Sequence, residues 1–413
     1  MRRGPPMRMK ILLLTDIPPC KDYAGGLFLD QLCRLLPEGA IACFAVVNPV
    51  LNARLSPDLD WIPIEYYEKP DEMALRLLPF HLGGVSAFAK ESYHSIFKNG
   101  EIIRRAVEFG RSVGADTLWS LLEGQTMIQT ALPVAKGLNV PLRTQVMDPP
   151  YFWMREHRVD AVSSARILKR FDETVRQSRT CATASWSMAD KYKQDYGTRC
   201  VAVVPSFNLE SAFAPALHTH ADDELVIGLA GQTYAIEEWH ALIGALNSVN
   251  WRIDNRSVRI RLLGREVRQR AEGSMRVEFC GWNSQAETIR LLSEADVLYC
   301  PYWFDRQFET DARLCFPSKL TTYFAAGRPV LFHGPDYSSP ARFLREHDAG
   351  ILCHSLEHEK ILDALKRVAA DADYYAQLAR NGRAALESHL SLYSLRRSFA
   401  QFLEVEEDSL RAA

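Results

Sequence analysis

Short apolar runs alternate with longer amphipathic segments along the whole chain, a pattern typical of parallel strands joined by crossover helices. The runs are continuous rather than alternating, which indicates sheets covered by helices on both faces. The first half has the predicted strands KILLLTD (from Lys10), AIACFAVV (Ala40), TLWSL (Thr117), LRTQVM (Leu142), TCATAS (Thr180) and VAVVP (Val201). The second half has LVIGLAG (Leu225), VRIRLLG (Val258), RVEFCG (Arg276), DVLYCP (Asp296), RPVLFH (Arg328) and AGILC (Ala349). The pattern predicts an α/β protein with two doubly wound domains.

A polar, proline-containing segment separates the two series of strands and is typical of an interdomain linker. We therefore predict an N-terminal domain over residues 1–209, a linker over 210–224 and a second domain over 225–385. The remaining residues, 386–413, are predicted to form a helix that packs back on the N-terminal domain. Because open parallel sheets bind ligands at the carboxyl ends of their strands, we expect the site in the cleft between the two halves.

Composition narrows the class of protein. The chain has 413 residues, of which 47% are hydrophobic and 24% charged, values that exclude disordered and fibrous proteins. Lys and Arg number 49 against 51 Asp and Glu, so the chain lacks the basic excess of a general nucleic-acid binder but has room for a local basic site.

Neither targeting signals nor cysteine patterns point outside the cytoplasm. No apolar run approaches the roughly 18 residues of a membrane span, and the run Ile11–Leu14 is too short for a signal peptide. The nine cysteines are scattered without a CxxC pair, which favours small buried side chains over a disulfide framework or a zinc site. We expect a cytoplasmic protein.

The most informative stretch is CFPSKLTTYFAAGRPVLFHGP, from Cys315 to Pro335. Pro317 fits the first position of a helix, which places Ser318 and Lys319 in its first turn. A lysine there opposes the usual dipole preference for acids. It is favourable where an anion is held by free backbone N–H groups with the lysine as counter-charge. A solvated lysine on an ordinary helix explains the spacing equally well.

A second glycine-rich turn follows the first strand. Asp16 ends that strand, and Gly25 and Gly26 open the next helix, where missing side chains let a phosphate or a sugar approach the backbone. The turn is not GxGxxG and no Walker lysine follows it. A dehydrogenase or a P-loop nucleotidase therefore finds no support.

Together these motifs resemble those of GT-B nucleotide-sugar glycosyltransferases of the group 1 or family 4 type. The specific part is PSKL-x-x-Y-x-AAG-x-PVL, supported by RLLG, VEFCGW and ADVLYCPY in the second half. The Gly-Gly loop, RTQVMD and CATASWSMADKYKQDYG followed by VVPSFN extend the resemblance more loosely into the first half. It covers roughly residues 8–390 and implies two Rossmann-like domains facing a central cleft.

The resemblance implies a donor site. Ser318, Lys319 and Leu320 would lie at the diphosphate, with Gly25 and Gly26 on the opposite wall. Gly281 and Trp282 follow the strand whose end meets the nucleobase in such enzymes, although a core position explains Trp282 equally well.

This sequence departs from the family pattern at its acidic and basic positions. Where many members carry two glutamates, it has Leu314 and Thr322, and Thr322 would make at most a weaker ribose contact. Glu309, just upstream of the helix, is then a candidate for the carboxylate that faces the sugar, as is Asp311. Gln232 and Thr233 replace the usual basic pair, so that Lys319 and Arg265 would carry more of the charge neutralisation.

Catalytic candidates in the first half follow predicted strands. Asp148 matches the Asp of a His-Asp pair in many relatives, with Met147 in place of the histidine, but it also suits a structural turn before Pro149-Pro150. Asp16 and Glu123 occupy similar strand ends. His157 is expected on the exposed surface.

The resemblance implies a glycosyltransferase of the hexosyltransferase type, in polysaccharide biosynthesis, acting with retention on a UDP- or GDP-linked sugar without a metal. Its acceptor would be a carbohydrate or a lipid-linked glycan. Two alternatives stay open, a nucleotide-sugar epimerase, which needs an acid/base cluster that the sequence does not reveal, and a non-catalytic sugar-nucleotide-binding subunit. The basic segment Arg155–Arg179, predicted as one helix, suggests a peripheral membrane contact.

Overall fold

The structure is a computed structural model that describes residues 9–69, 71–73, 83–221, 223–264 and 275–412. The chain divides into two compact units, Met1–Val203 with Arg396–Ala413, and Val204–Leu395. Each unit contains one sheet whose main strands are all parallel, with helices in the crossovers. Throughout the described ranges, no helix is long and apolar enough to span a bilayer.

The first unit is built on a seven-stranded sheet in the order β3-β2-β1-β4-β5-β6-β7. Its strands are β1 Ile11–Thr15, β2 Ile41–Val47, β3 Ile64–Glu68, β4 Thr117–Leu121, β5 Leu142–Val146, β6 Thr180–Thr183 and β7 Arg199–Ala202. Its helices are α1 Ala24–Arg34, α2 Gly83–Tyr93, α3 Asn99–Ser112, α4 Gly124–Leu138, α5 Pro150–Glu156, α6 Ala161–Arg176 and α7 Trp186–Tyr196. A π-helical turn, His94–Lys98, joins α2 to α3.

The second unit has the strand order β11-β10-β8-β12-β13-β14, with the short β9 paired antiparallel to β10. Its strands are β8 Glu224–Gly231, β9 Arg252–Ile253, β10 Arg256–Gly264, β11 Val277–Gly281, β12 Val297–Pro301, β13 Val330–His333 and β14 Ile351–Cys353. Its helices are α8 Ile236–Ser248, α9 Gln285–Ser293, α10 Glu309–Leu314, α11 Lys319–Ala325, α12 Ser339–Glu346, α13 His358–Ala370 and α14 Ala372–His389. The last helix, α15, runs from Leu392 to Leu403.

All twelve strands predicted from apolar runs are present, and their central positions are buried because helices cover both faces of each sheet. The prediction missed β3 and β9. Strand β3 has the sequence IEYYE, whose acids and half-buried aromatics suit a sheet edge rather than a covered strand. Strand β9 has only two residues. All nine cysteines are free thiols, and seven of them are buried.

The predicted linker belongs to the second unit. The division between units falls after Val203 rather than at residue 210, because the following chain is hydrogen-bonded to α11 and the residues after it. Phe213 N donates to Ala325 O at 2.8 Å, and Ala216 N donates to Gly327 O at 2.9 Å. The last residues of the chain, from Arg396, pack in the first unit, where Phe399 lies against the Trp119 ring with centroids 5.3 Å apart.

The basic segment predicted as one helix is two helices, α5 and α6. Between them Arg158 adopts a positive φ of 54°, which no α-helix contains. Asp160 then accepts hydrogen bonds from the backbone N–H groups of Val162 and Ser163 as the N-cap of α6. The prediction failed because the apolar periodicity continues across a break that a capping aspartate imposes.

Candidate functional site

Three neighbouring strands of the second unit end in glycine. Gly231, Gly264 and Gly281 close β8, β10 and β11, with positive φ of 85°, 116° and 66°. A Cβ on Gly264 would lie 2.8 Å from the carbonyl oxygen of Gly231, and those on Gly231 and Gly281 would meet nothing within 4 Å. The carboxyl edge of this half of the sheet is therefore bare backbone, which a ligand can approach closely.

Lys319, the first residue of α11, points at this edge. Its Nζ lies 3.3 Å from the carbonyl oxygen of Gln232 and 4.5 Å from the centre of the Tyr234 ring. The side chain is half-buried, and burial lowers its pKa. Among the described residues it has no carboxylate partner. A desolvated ammonium without a counter-ion is suited to an anionic ligand, because such a ligand supplies the missing charge.

Helix α11 is fixed to the sheet by a buried tyrosine. The Tyr323 hydroxyl accepts from Ala230 N at 3.0 Å and donates to Tyr299 O at 3.1 Å, and so joins the helix to β8 and β12. Beside the lysine contact, Thr233 has a buried hydroxyl without a hydrogen-bond partner. The tyrosine holds the helix start at the strand ends.

Aromatic rings surround the lysine contact. Trp303 lies between Tyr234, at a centroid distance of 4.7 Å, and Phe308, on which it stacks at 5.1 Å with planes 17° apart. Next to them Glu238 is buried and accepts from Phe304 N at 2.6 Å, and burial raises its pKa. The sequence reasoning missed these residues. The signal was the aromatic run directly after the strand DVLYCP.

The other predicted donor-side residues are spread around this edge. Leu320 is fully buried and offers only its backbone, whereas Ser318 and Gln232 are exposed and Thr322 is half-buried. Trp282 is 70% exposed, so the alternative of a core position is wrong.

The two acidic candidates on α10 are engaged elsewhere, and one basic candidate is not described. Both nitrogens of the Arg313 guanidinium that face Glu309 donate to its carboxylate, at 2.8 and 2.9 Å. Asp311 is buried at 1% exposure. Glu309 therefore faces its own helix surface in this structure, and its catalytic role stays a prediction. Arg265 lies outside the described residues.

A cluster of charged residues lies at the carboxyl edge of the sheet in the first unit. Asp16, Glu123 and Asp148 follow the adjacent strands β1, β4 and β5, and Lys69 follows β3. Carboxylates of Asp16 and Asp148 both act electrostatically on Glu123. The expectation that no acid/base cluster exists is therefore wrong, because strands distant in sequence bring these groups together.

The base of the cluster is a buried ion pair. Lys69 Nζ lies 2.6 Å from Glu72 Oε2, and both side chains are less than 8% exposed. Glu72 Oε1 accepts from the backbone N–H of Thr126 at 2.7 Å, in the first turn of α4. A Cβ on Gly124 would lie 2.5 Å from Glu72 Oε2, so only glycine leaves room for this contact. Burial opposes both charges, but the pair holds the pKa of Lys69 high and that of Glu72 low.

The neighbouring carboxyl groups have the opposite electrostatics. Burial, only partly offset by Lys69, raises the pKa of Asp16 to about 6. Burial together with the Asp16 and Asp148 charges raises the pKa of Glu123 well above its usual value. Asp16 Oδ1 is buried without a hydrogen-bond partner. Carboxyl groups that exchange protons near neutral pH are suited to general acid–base chemistry.

The glycine pair of α1 divides into two roles. A Cβ on Gly26 would lie 2.2 Å from Cys20 Sγ and 3.0 Å from Pro18 O, so Gly26 is required for packing of the turn. A Cβ on Gly25 would only reach ordinary contacts, with Ile17 at 3.7 Å and Met147 at 3.8 Å. Gly25 thus lies near the end of β5, where Asp148 follows.

His157 is half-buried rather than exposed. Its Nδ1 lies 2.8 Å from Gln125 Oε1, and burial lowers its pKa. Gln125 in turn donates from Nε2 to Glu72 O at 3.1 Å, which connects the histidine to the ion pair. Among the described residues no three His, Cys, Asp or Glu side chains could hold a metal ion together.

Residues 224–371 match the family described as glycosyl transferases group 1. The matched range contains the three glycine strand ends, Lys319 and the aromatic residues around it. The resemblance inferred from the sequence is thus confirmed for the second unit. No curated protein has a recognisably similar sequence.

Solved structures extend the likeness to the whole fold. Anabaena HepE bound to UDP is 14% identical, with 96% of this chain and 100% of that chain covered and a TM-score of 0.62. Sucrose-phosphate synthase from Thermosynechococcus elongatus is 13% identical (96% and 98% covered, TM-score 0.65). Trehalose 6-phosphate synthase from Burkholderia multivorans is 11% identical (96% and 96% covered, TM-score 0.64). The fold is GT-B, with two Rossmann-like domains.

Proposed function

We propose that the protein is a glycosyltransferase that moves a sugar from a nucleotide-diphosphate donor to a carbohydrate or a lipid-linked glycan. The observation that carries the proposal is Lys319, a half-buried ammonium without a carboxylate partner, at a bare glycine edge inside the region that matches group 1 glycosyl transferases. Anion binding explains why such a lysine is kept there.

In the proposed donor complex the diphosphate lies against Lys319 and the backbone at Ser318. The lysine stabilises the negative charge that develops on the leaving diphosphate, and the diphosphate oxygens act as the local base with retention at the anomeric carbon. The nucleobase is proposed to lie beside Gly281 and Trp282, whose exposed ring offers a stacking surface. UDP is the first nucleotide to test, since HepE structures hold UDP or UDP-glucose. GDP is the alternative.

On the acceptor side, we propose that the charged edge of the first unit orients the acceptor hydroxyl. Asp148 and Asp16 accept hydrogen bonds from hydroxyl groups when ionised. Glu123, whose pKa is raised well above its usual value, supplies a protonated carboxyl that donates one. The reaction is proposed to need no metal and to take place in the cytoplasm, at the membrane where the acceptor is lipid-linked.

A panel of nucleotide sugars tests the proposal directly. A donor that binds the native protein raises its thermal midpoint by mass action, and slow release of free nucleotide reports transfer or hydrolysis. We expect one UDP- or GDP-linked sugar to do both. Failure of every donor to shift the midpoint would contradict the proposal.

The variant Lys319→Ala sharpens this test. We expect a loss of about 100-fold or more in turnover, because the charge on the leaving group is no longer stabilised. Stabilisation by UDP should fall far more than stabilisation by uridine, which lacks the diphosphate. Lys360→Ala, at an exposed position on α13, is the matched control and should behave as wild type. Wild-type turnover in Lys319→Ala would remove this residue from the mechanism.

A nucleotide-sugar epimerase is the second candidate. The charged edge with Asp16, Glu123 and Asp148 favours it, because epimerisation needs acid/base groups close together. Product analysis without an acceptor separates the two, since only an epimerase converts the donor sugar. Donor binding with neither conversion nor transfer would instead support a non-catalytic subunit, the alternative suggested by Leu314 and Thr322.

A further inference from the structure

A polar cavity lies in the first unit, away from the strand ends. Its volume is about 280 Å³, and it is enclosed by α2, the π-helical turn, α4 and α6. Its polar lining comes mainly from Glu91, Ser92, Ser95, Gln129, Arg166 and Arg170. None of these residues belongs to the charged edge described above.

The cavity has unused hydrogen-bonding and charge capacity for an anion. Ser92 has a buried hydroxyl without a partner. Arg166 lies over the Phe88 ring at 5.2 Å and, among the described residues, has no carboxylate partner. The one acid in the lining, Glu91, accepts from Gln129 at 2.7 Å, and burial raises its pKa. Guanidinium and hydroxyl groups in this arrangement suit a phosphate.

An exposed apolar stripe lies on the same helical segment. Val85, Tyr93, Ile96 and Phe97 are 59%, 51%, 69% and 64% exposed. Their spacings of eight, three and four residues return to one side of a helix. Ser92 and Ser95, which line the cavity, alternate with these side chains, so that the anion-binding capacity and the stripe are direct neighbours. Isolated exposed apolar residues are ordinary, but a continuous stripe marks a binding surface.

The local backbone also departs from a regular helix at this point. The π-helical turn His94–Lys98 carries Ile96 and Phe97, and such turns occur mostly at functional positions. Lys98 adds a positive charge on this side, as do Lys169 and Arg170 on α6. Basic groups beside an apolar stripe complement an anionic membrane surface better than the mixed charge of a second copy of this chain.

We propose that this surface docks the protein on anionic phospholipid bilayers, with the lipid phosphate in the Arg166 cavity and the stripe among the acyl chains. The inference extends the proposed use of a lipid-linked acceptor. Its test reads vesicle binding without any sugar nucleotide, so that it and the proposed function fail separately.

Cosedimentation of the full chain with vesicles tests the docking surface. We expect binding to vesicles in which roughly a third of the phosphatidylcholine is replaced by phosphatidylglycerol, and little binding to phosphatidylcholine alone. The double variant Ile96→Ser/Phe97→Ser should weaken partitioning about tenfold or more. Val50→Ser, at an apolar position that is 84% exposed elsewhere in the unit, is the matched control and should bind as wild type. Equal binding of the double variant would overturn the proposal.

Charge reversal separates the cavity from diffuse attraction. Arg166→Glu should weaken binding about tenfold, and Lys169→Glu, an exposed neighbour outside the cavity with the same charge change, should weaken it far less. Equal losses would overturn the cavity as the headgroup site. Millimolar inorganic phosphate that displaces the protein from vesicles at constant ionic strength would assign the cavity to a soluble phosphate instead. A concentration-dependent dimer lost in Ile96→Ser/Phe97→Ser would overturn the membrane assignment. Unchanged circular dichroism of each variant excludes misfolding.

Discussion

Replacing Asp16 by Asn tests whether the charged edge of the first unit holds a carboxyl group that resists ionisation. Burial is the main cause that raises its pKa from 3.8 to about 6, with Lys69 lowering it and Glu72 raising it. The oxygen Oδ1 has no hydrogen-bond partner to stabilise a negative charge. The folded state therefore binds the proton of this group more tightly than the unfolded chain does.

The pH dependence follows from this difference in proton affinity. Because the folded pKa is the higher one, ionisation costs stability as pH rises between 3.8 and about 6, and the full cost is reached above that interval. A difference of about 2 pKa units corresponds to about 3 kcal/mol at pH 7.5 and about 1 kcal/mol at pH 4.5. Asparagine never ionises. Asp16→Asn should thus stabilise the unit by about 2 kcal/mol more at pH 7.5 than at pH 4.5.

Thermal unfolding followed by circular dichroism at the two pH values measures this. For a unit of this size, 1 kcal/mol shifts the midpoint by about 2–4 °C, so that the gain at pH 7.5 should exceed that at pH 4.5 by roughly 4–8 °C. Asp58→Asn is the control, because Lys21 and Arg34 hold the pKa of this exposed carboxyl at about 2, and its loss brings no stabilisation. An equal gain at both pH values, or a loss at pH 7.5, would refute the account of Asp16.

Two further substitutions test packing and a buried hydrogen bond. Gly26→Ala should destabilise the protein by about 1–3 kcal/mol because its Cβ would meet Cys20 Sγ at 2.2 Å, whereas Gly25→Ala, with free space, should be neutral or slightly stabilising. Thermal unfolding of the pair compares them, and equal effects would contradict the packing argument. Tyr323→Phe should cost about 1–3 kcal/mol in urea unfolding, since the N–H of Ala230 is left buried and unpaired. A neutral result would show that this N–H finds another acceptor.

The fold was predictable because its signal is local. Continuous apolar runs of five to nine residues can only be satisfied in covered strands, and twelve of them were read directly from the sequence. The strand β3 escaped because an edge strand needs no continuous apolar run. The break between α5 and α6 escaped because one capping residue, Asp160, overrides a periodicity that continues on both sides of it.

Only part of the candidate site carried such a local signal. Lys319 and the glycine strand ends stand in recognisable motifs, and the sequence pointed to them before the structure was described. Tyr234 and Trp303 lie far apart in sequence, and nothing in either motif announced that they meet. The exposure of Trp282 likewise depends on what packs around it rather than on its neighbours in the chain.

The sequence by itself determined the two-domain α/β architecture and the lysine that begins α11, because strand and helix signals arise within a few residues. The tertiary structure decided the chemistry of the first unit. Asp16, Lys69 and Glu123 are separated by more than fifty residues each, and only the parallel sheet brings their strand ends to one edge. Their pKa values depend on burial and on one another's charge, which exist only once the chain has folded.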